Sequence, residues 1–149
     1  KYRDQQQPAE STLVEMGEKA VPYLLEKLDT KSAREKWTLI RIFGKIGAPA
    51  VMPLVDSLKS ENKEVTKLTI RILADIKDNR AVAPLVPLLD REDYNIRGHT
   101  CEALGKIADT SAFAPVSLCM EDSVEVVRKN AAVALGRMKD ERAIPHLVH

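Results

Sequence analysis

His99, Cys101 and Glu102 fall within four residues of one another in the stretch "IRGHTCEALGKIAD", the one cluster in the chain whose residue types invite chemistry. A thiol beside an imidazole can become a nucleophile, and an imidazole beside a carboxylate can become a general base. The spacing argues against both. Residues three apart share a helix face, so His99 and Glu102 can touch, a contact worth only about 0.2–0.5 kcal/mol. Cys101 instead takes the helix position of Ile40 and Ile70, which points toward a neighbouring repeat and away from His99. A packed structural cluster is the expectation, and no catalytic residue is assigned. The chain contains no nucleophile elbow, phosphate-binding glycine loop or HExxH pair. Cys101 and Cys119 alone are too few for a zinc site or a disulfide framework, so neither metal nor cofactor is expected. Reduced, buried cysteines fit a cytoplasmic protein.

The elements that position these residues follow from composition and period. At 149 residues the length favours one domain. Aromatics make up only 4% against 44% hydrophobic residues, so the core must be built from Leu, Ile, Val and Ala, which favours helices. A net charge of +1 excludes an overall pull toward nucleic acid or acidic membranes, although one face could still be basic. No apolar run approaches the roughly 20 residues of a membrane span. KYRDQQQ at the start lacks the apolar segment of a signal peptide.

Two ladders of equal period run through the chain. Ala20-Val21, Ala50-Val51, Ala81-Val82, Ala112-Phe113 and Ala143-Ile144 step by 30, 31, 31 and 31. Phe43-Gly44, Leu73-Ala74, Leu104-Gly105 and Leu135-Gly136 step by 30, 31 and 31. Each period predicts two helices. The first is short, with the stripe Val51, Leu54, Val55, Leu58 matched by Val82, Leu85, Val86, Leu89. Pro53, Pro84 and Pro115 stand near its start, where an N–H would lack a helical partner anyway, while Pro87 lies deeper and should bend its helix. The second is longer, with Val65, Thr69, Ile72, Leu73 and Ile76 matched by Ile96, Thr100, Ala103, Leu104 and Ile107. Ser32 with Glu35 predicts a capping box, and Asp93 and Ser123 predict N-caps. Asp78 and Asp140 are placed as turn formers. Gly44, Ala74, Gly105 and Gly136 predict close approach of a neighbouring helix.

The grammar of apolar-Arg, then Ala, then Ala-Leu-Gly, an Asp-containing turn and Ala-Ile-Pro, clearest in 127–147 and 96–116, resembles HEAT repeats of the phycobilisome-lyase type. Two positions depart from it: Glu35 replaces an apolar residue, and Thr66 replaces the arginine seen at Arg97 and Arg128, which weakens an inter-repeat contact there. The resemblance implies an all-α, right-handed α-solenoid of about four to five HEAT-like helix pairs. The expected division is a partial repeat at 1–17, repeats at 18–47, 48–78, 79–109 and 110–140, and a partial repeat at 141–149. Neither end carries the polar cap of a terminal repeat, so a piece of a longer array is expected, with end-to-end self-association through its exposed ends.

In such arrays the second helices line the concave side, and binding there is what the resemblance implies. Counting two, three, six and ten residues beyond Val65 and its equivalents gives the outward positions. They are Trp37, Thr38, Arg41, Lys45; Lys67, Leu68, Arg71, Asp75; Gly98, His99, Glu102, Lys106; Lys129, Asn130, Val133 and Arg137, seven of them basic and two acidic. The expected function is a non-enzymatic protein–protein interaction scaffold whose partner is a protein or peptide, possibly one of acidic character. Trp37 is either an interface anchor or core. A bilin lyase or chromophore-handling protein is the alternative that the repeat subclass implies, and no residue can be given a role in that chemistry. Nucleic-acid binding through the basic face is the further alternative, disfavoured by the scarcity of aromatic residues.

Overall fold

The computed structural model describes residues 9–138, and among these there are helices and turns but no strand. The ladders account for it. Helix α1 (Glu10–Met16) precedes four helix pairs. The pairs are α2 (Val21–Leu25) with α3 (Ala33–Ile46), and α4 (Val51–Ser57) with α5 (Lys63–Ile76). Then come α6 (Val82–Leu85) with α7 (Tyr94–Ile107), and α8 (Phe113–Leu118) with α9 (Glu125–Met138). The turn expected at Asp140 and the helix expected from Ala143 lie outside the described residues. Pro87 has the effect foreseen: α6 stops at Leu85 and the chain continues as a 3-10 turn over Val86–Asp90.

The helices form two layers. Helices α1, α3, α5, α7 and α9 lie side by side in chain order, and the short first helices with their turns pack beside one another in the second layer. Phe43, Leu73, Leu104 and Leu135 form the spine between them, each completely buried. Ala20, Ala50, Ala81 and Ala112 are also completely buried, each ending the 3-10 turn that enters a first helix. The tight turn leaves room for no larger side chain without pushing the layers apart.

Short polar devices fix the helix starts. Asn62 accepts the Glu64 N–H at 3.0 Å, and Asp93 accepts the N–H of Asn95 at 2.8 Å. Asp78 and Asp109 likewise accept the N–H groups of Arg80 and Ser111, both at 2.9 Å, which sets the 3-10 turns. Two expectations change. The Ser32 hydroxyl accepts the Glu35 N–H at 3.3 Å, but Glu35 does not reach back to the Ser32 backbone. Its carboxylate accepts the Thr30 hydroxyl, whose oxygen takes the Ser32 N–H at 3.2 Å, so the box closes through a third residue. At the start of α9 the carboxylate of Asp122, not Ser123, does the work, accepting the Val124 N–H at 2.9 Å.

The arginine position binds the turns. Arg97 donates to the carbonyls of Arg91 (2.9 Å) and Glu92 (2.8 Å) and grips both oxygens of Asp122, at 2.8 and 3.1 Å, in the next repeat. Arg128 repeats the local half of this, donating to the Asp122 carbonyl at 2.7 Å. Thr66 keeps that local half too, donating to the Ser60 carbonyl at 3.2 Å. What it lacks is the inter-repeat grip, and the residue one period before Asp122 is Arg91, which could not accept it.

Close approach belongs to one glycine, not to all those predicted. A Cβ on Gly105 would lie 2.6 Å from the Ala134 Cα, so α7 and α9 meet backbone to backbone there. Gly44 is exposed with open space around it, and Gly136 meets nothing among the described residues. Gly105→Ala is therefore expected to destabilise by about 1–3 kcal/mol through overpacking, whereas Gly44→Ala gains up to about 1 kcal/mol from helix propensity. Urea unfolding of the two variants checks this.

Asp122 offers a second test. The hydrogen bond from Arg97 holds its carboxyl below the ordinary aspartate range. The native carboxylate binds a proton less readily than the unfolded one. The stability it contributes is complete above the unfolded pKa and is lost as pH falls through the folded value. Asp122→Asn should cost about 2 kcal/mol at neutral pH, less than a fully buried pair would, and should flatten the acid limb of a stability-versus-pH curve.

Candidate functional site

The row of second helices carries the predicted surface, and its local geometry follows from each helix being flanked by two others. Trp37 on α3 is exposed, with 55% of its surface free, which settles it as a surface residue. The Arg71 guanidinium of α5 lies over its ring, 4.8 Å from the centroid, at cation–π distance. Beside them opens a hollow of about 220 Å³, lined by Trp37, Ile40, Arg71, Ala74, Asp75, His99, Glu102, Ala103 and Lys106. Its floor is Ile40, Ala74 and Ala103, all buried. Ala103 stands where α5 carries Ile72, so the floor there is three side-chain carbons shallower. A second hollow of about 200 Å³ adjoins it through Glu102 and is lined by Asn130, Val133, Ala134 and Arg137. Val133 is 55% exposed at its edge.

Two residues counted as outward are not. Leu68 is buried, 2% exposed, and Gly98 is buried as well. A helix in the middle of a row hides a wider arc than a helix at the surface, and the position three beyond Val65 turns toward the preceding helix. Asn130, one period beyond His99, shows the direction: its amide donates to the Gly98 carbonyl at 3.1 Å, across to α7. Leu68 is therefore core and cannot extend the contact of Trp37.

The basic character of the row is largely cancelled within it. Arg41 grips Glu10 through two bonds of 3.0 and 3.1 Å, Lys45 lies 3.8 Å from the same carboxylate, and that grip holds the Glu10 carboxyl below its ordinary value. Lys67 pairs with Glu64 at 3.1 Å and Asp93 at 3.9 Å. Lys106 lies between Glu102 (3.4 Å) and Asp75 (3.8 Å), and Lys129 pairs with Glu125 at 3.3 Å. Among the described residues Arg71 and Arg137 are the two basic members of the predicted set with no carboxylate partner. Of the neutralising acids Asp75 and Glu102 were counted in the predicted set, whereas Glu10, Glu64, Asp93 and Glu125 were missed, although Glu10 carries a signal: it stands one 31-residue period before Arg41, as Asp75 stands before Lys106.

The reactive-looking cluster separates as the spacing predicted. His99 borders the hollow, half-buried, while Cys101 is fully buried on the other side of α7, beside the Cys119 thiol of the next repeat. The Cys119 thiol, and then burial, push the Cys101 thiol well up, so it stays protonated. Cys119 in turn donates to the Pro115 carbonyl at 3.8 Å. Among the described residues no three His, Cys, Asp or Glu side chains converge as metal ligands would, and no single helix is long and apolar enough to cross a membrane.

A sequence profile described as HEAT repeats matches residues 21–95, 51–116 and 82–149 in overlapping registers. The chain belongs to the HEAT repeat family. The HEAT chain is also similar to several designed solenoids. Computationally designed armadillo repeat proteins for modular peptide recognition superpose with a TM-score of 0.56 at 21% identity, over 98% of this chain and 85% of theirs. Another designed armadillo repeat protein gives 0.57 at 23%, over 86% and 69%. An engineered protein gives 0.54 at 22%, over 87% of this chain but only 40% of its own length. At such identities the likeness is one of fold. No curated protein matches the HEAT chain.

Burial holds the His99 imidazole below its ordinary pKa of 6.5, with Glu102 opposing and Arg71 and Lys67 adding to the effect. The unfolded chain therefore takes up this proton first as pH falls, and the stability tied to neutral His99 is complete above 6.5 and lost below it. Thermal midpoints measured from pH 8 to pH 5 should fall more in the parent than in His99→Gln, and a parallel fall would remove this assignment.

Proposed function

We propose that this HEAT-repeat chain is a non-enzymatic scaffold that takes a peptide-like segment of a protein partner along its row of second helices. One observation carries the reading: an exposed tryptophan, with an arginine over its ring, borders a hollow across α3, α5 and α7 that shares Glu102 with a second hollow toward α9. Tryptophan and arginine are the residue types that most often dominate interface energetics. A rigid indole buries a large area at little entropic cost, and a stacked guanidinium is already ordered. The similarity to computationally designed armadillo repeat proteins for modular peptide recognition supports a peptide-like partner. Nucleic acid fits less well. Most cations along the row are engaged by carboxylates, so few remain to displace counterions from a phosphate backbone.

Peptides selected from a random display library against this chain provide the test. Trp37→Ala combined with Arg71→Glu should weaken the selected peptides by about thirtyfold, the scale of a hot spot near 2 kcal/mol. Both residues are on the surface, so the helical circular dichroism should not change. Undiminished binding by the double variant removes the second-helix row as the binding surface.

A further inference from the structure

Arg71 is the residue of the row whose environment is most specific about a ligand. Its equivalent one repeat earlier, Arg41, has both prongs of its guanidinium on Glu10. One repeat later the position holds Glu102, which is engaged by Lys106. Arg71 has neither arrangement: it lies over the face of Trp37 and near His99, and among the described residues its N–H donors make no hydrogen bond or ion pair. Contact with the indole face restrains a side chain that otherwise loses much rotamer freedom when it is held. A planar fork of donors in a fixed orientation matches a carboxylate, which it can bind by two parallel hydrogen bonds. We propose that Arg71, held on Trp37, is a receptor for a single Asp or Glu side chain of the partner segment, and that an aliphatic neighbour of that residue fills the hollow floored by Ile40, Ala74 and Ala103.

The charges around the hollow restrict the occupant. Arg71 provides the unpaired positive charge at the Trp37 end, while Asp75 and Glu102 outnumber Lys106 at the other. A uniformly acidic segment would set like charges against that second end. One carboxylate flanked by apolar residues satisfies both ends, which narrows the acidic partner expected from the sequence. The proposal rests on the scaffold reading above and names the chemistry of the same surface.

Trp37 is the only tryptophan in the chain, so its indole N–H gives one resolved NMR signal, and its emission is a second readout. The probes are two blocked peptides, acetyl-Ser-Leu-Glu-Leu-Ser-amide and its Gln analogue. The Glu peptide should shift the indole and the Arg71 Nε–H resonances together and saturate at least fivefold more tightly than the Gln peptide. Arg71→Gln should abolish that preference. Equal binding of the two peptides overturns the carboxylate receptor. So does a phosphoserine version that binds tenfold tighter than Glu, an equal response to sodium acetate, or a shift of the indole signal with protein concentration alone, which would assign the groove to a second copy. If these probes fail while library-selected peptides still lose binding in the Trp37 and Arg71 double variant, only the carboxylate assignment falls. If that loss is also absent, the scaffold reading falls with it.

Discussion

Each helix pair in this chain buries its apolar side only against the pairs before and after it, and every other feature depends on that stacking. A first helix of four to seven residues has no independent stability, since isolated helices below about 12–15 residues are marginal in water. It persists because the Ala20, Ala50, Ala81 and Ala112 turns place it against its neighbours and because the Phe43, Leu73, Leu104 and Leu135 spine closes over it. Where spine and turn agree, a residue meets its own equivalent one period along. The fixed offset then brings side chains 25 to 32 positions apart into contact, as in the bonds from Arg97 to Asp122, Arg80 to Ala48 and Asn130 to Gly98.

The same offset decides the electrostatics. A row of second helices with seven basic positions would repel itself at each inter-helix contact if the charges stood alone. Carboxylates set one period away or one turn away relieve that repulsion, and most of these pairs are solvent-exposed, worth at most about 1 kcal/mol each. Their effect is less on stability than on the field outside the molecule. A neutralised row does not attract charge at a distance. On the proposed scaffold reading, recognition is then left to whichever groups are restrained and unpaired, and Arg71 over Trp37 is one such group.

The fold could be read from the chain almost completely because a solenoid repeats its instructions. Two ladders gave the period, the prolines gave the first helices, and the apolar stripes gave the second. What the sequence concealed was relational. The arc that a helix hides depends on how many neighbours flank it, and that is why Leu68 was assigned to the surface although it is core. A glycine's role depends on the height of the facing residue. Gly105 would bring a Cβ against the backbone at Ala134, while Gly44, at the same position two repeats earlier, faces open space. The partial box at Ser32 has a similar origin, since nothing in the S-x-x-E pattern foretells that Thr30 will accept the N–H that Glu35 was expected to take. The neutralising acids were legible in part, because Glu10 and Asp75 obey the period, whereas Asp93 reaches Lys67 only through the geometry of a turn.

The departures from the repeat pattern are where this chain differs from an idealised array. Thr66 in place of arginine, opposite Arg91 in place of aspartate, removes the polar clamp between the second and third pairs that Arg97 and Asp122 supply between the third and fourth. The junction left without a clamp is the one spanned by the larger hollow, between α5 and α7. Across it Lys67 reaches Asp93 at 3.9 Å, Lys106 reaches Asp75 at 3.8 Å and Arg80 donates to the Ala48 carbonyl at 3.1 Å, single contacts that hold geometry less tightly than a bidentate guanidinium–carboxylate grip. The stiff junction and the hidden thiols of Cys101 and Cys119 thus lie in the C-terminal half of the described chain. The tryptophan–arginine contact, between α3 and α5, borders the less tightly clamped junction between α5 and α7.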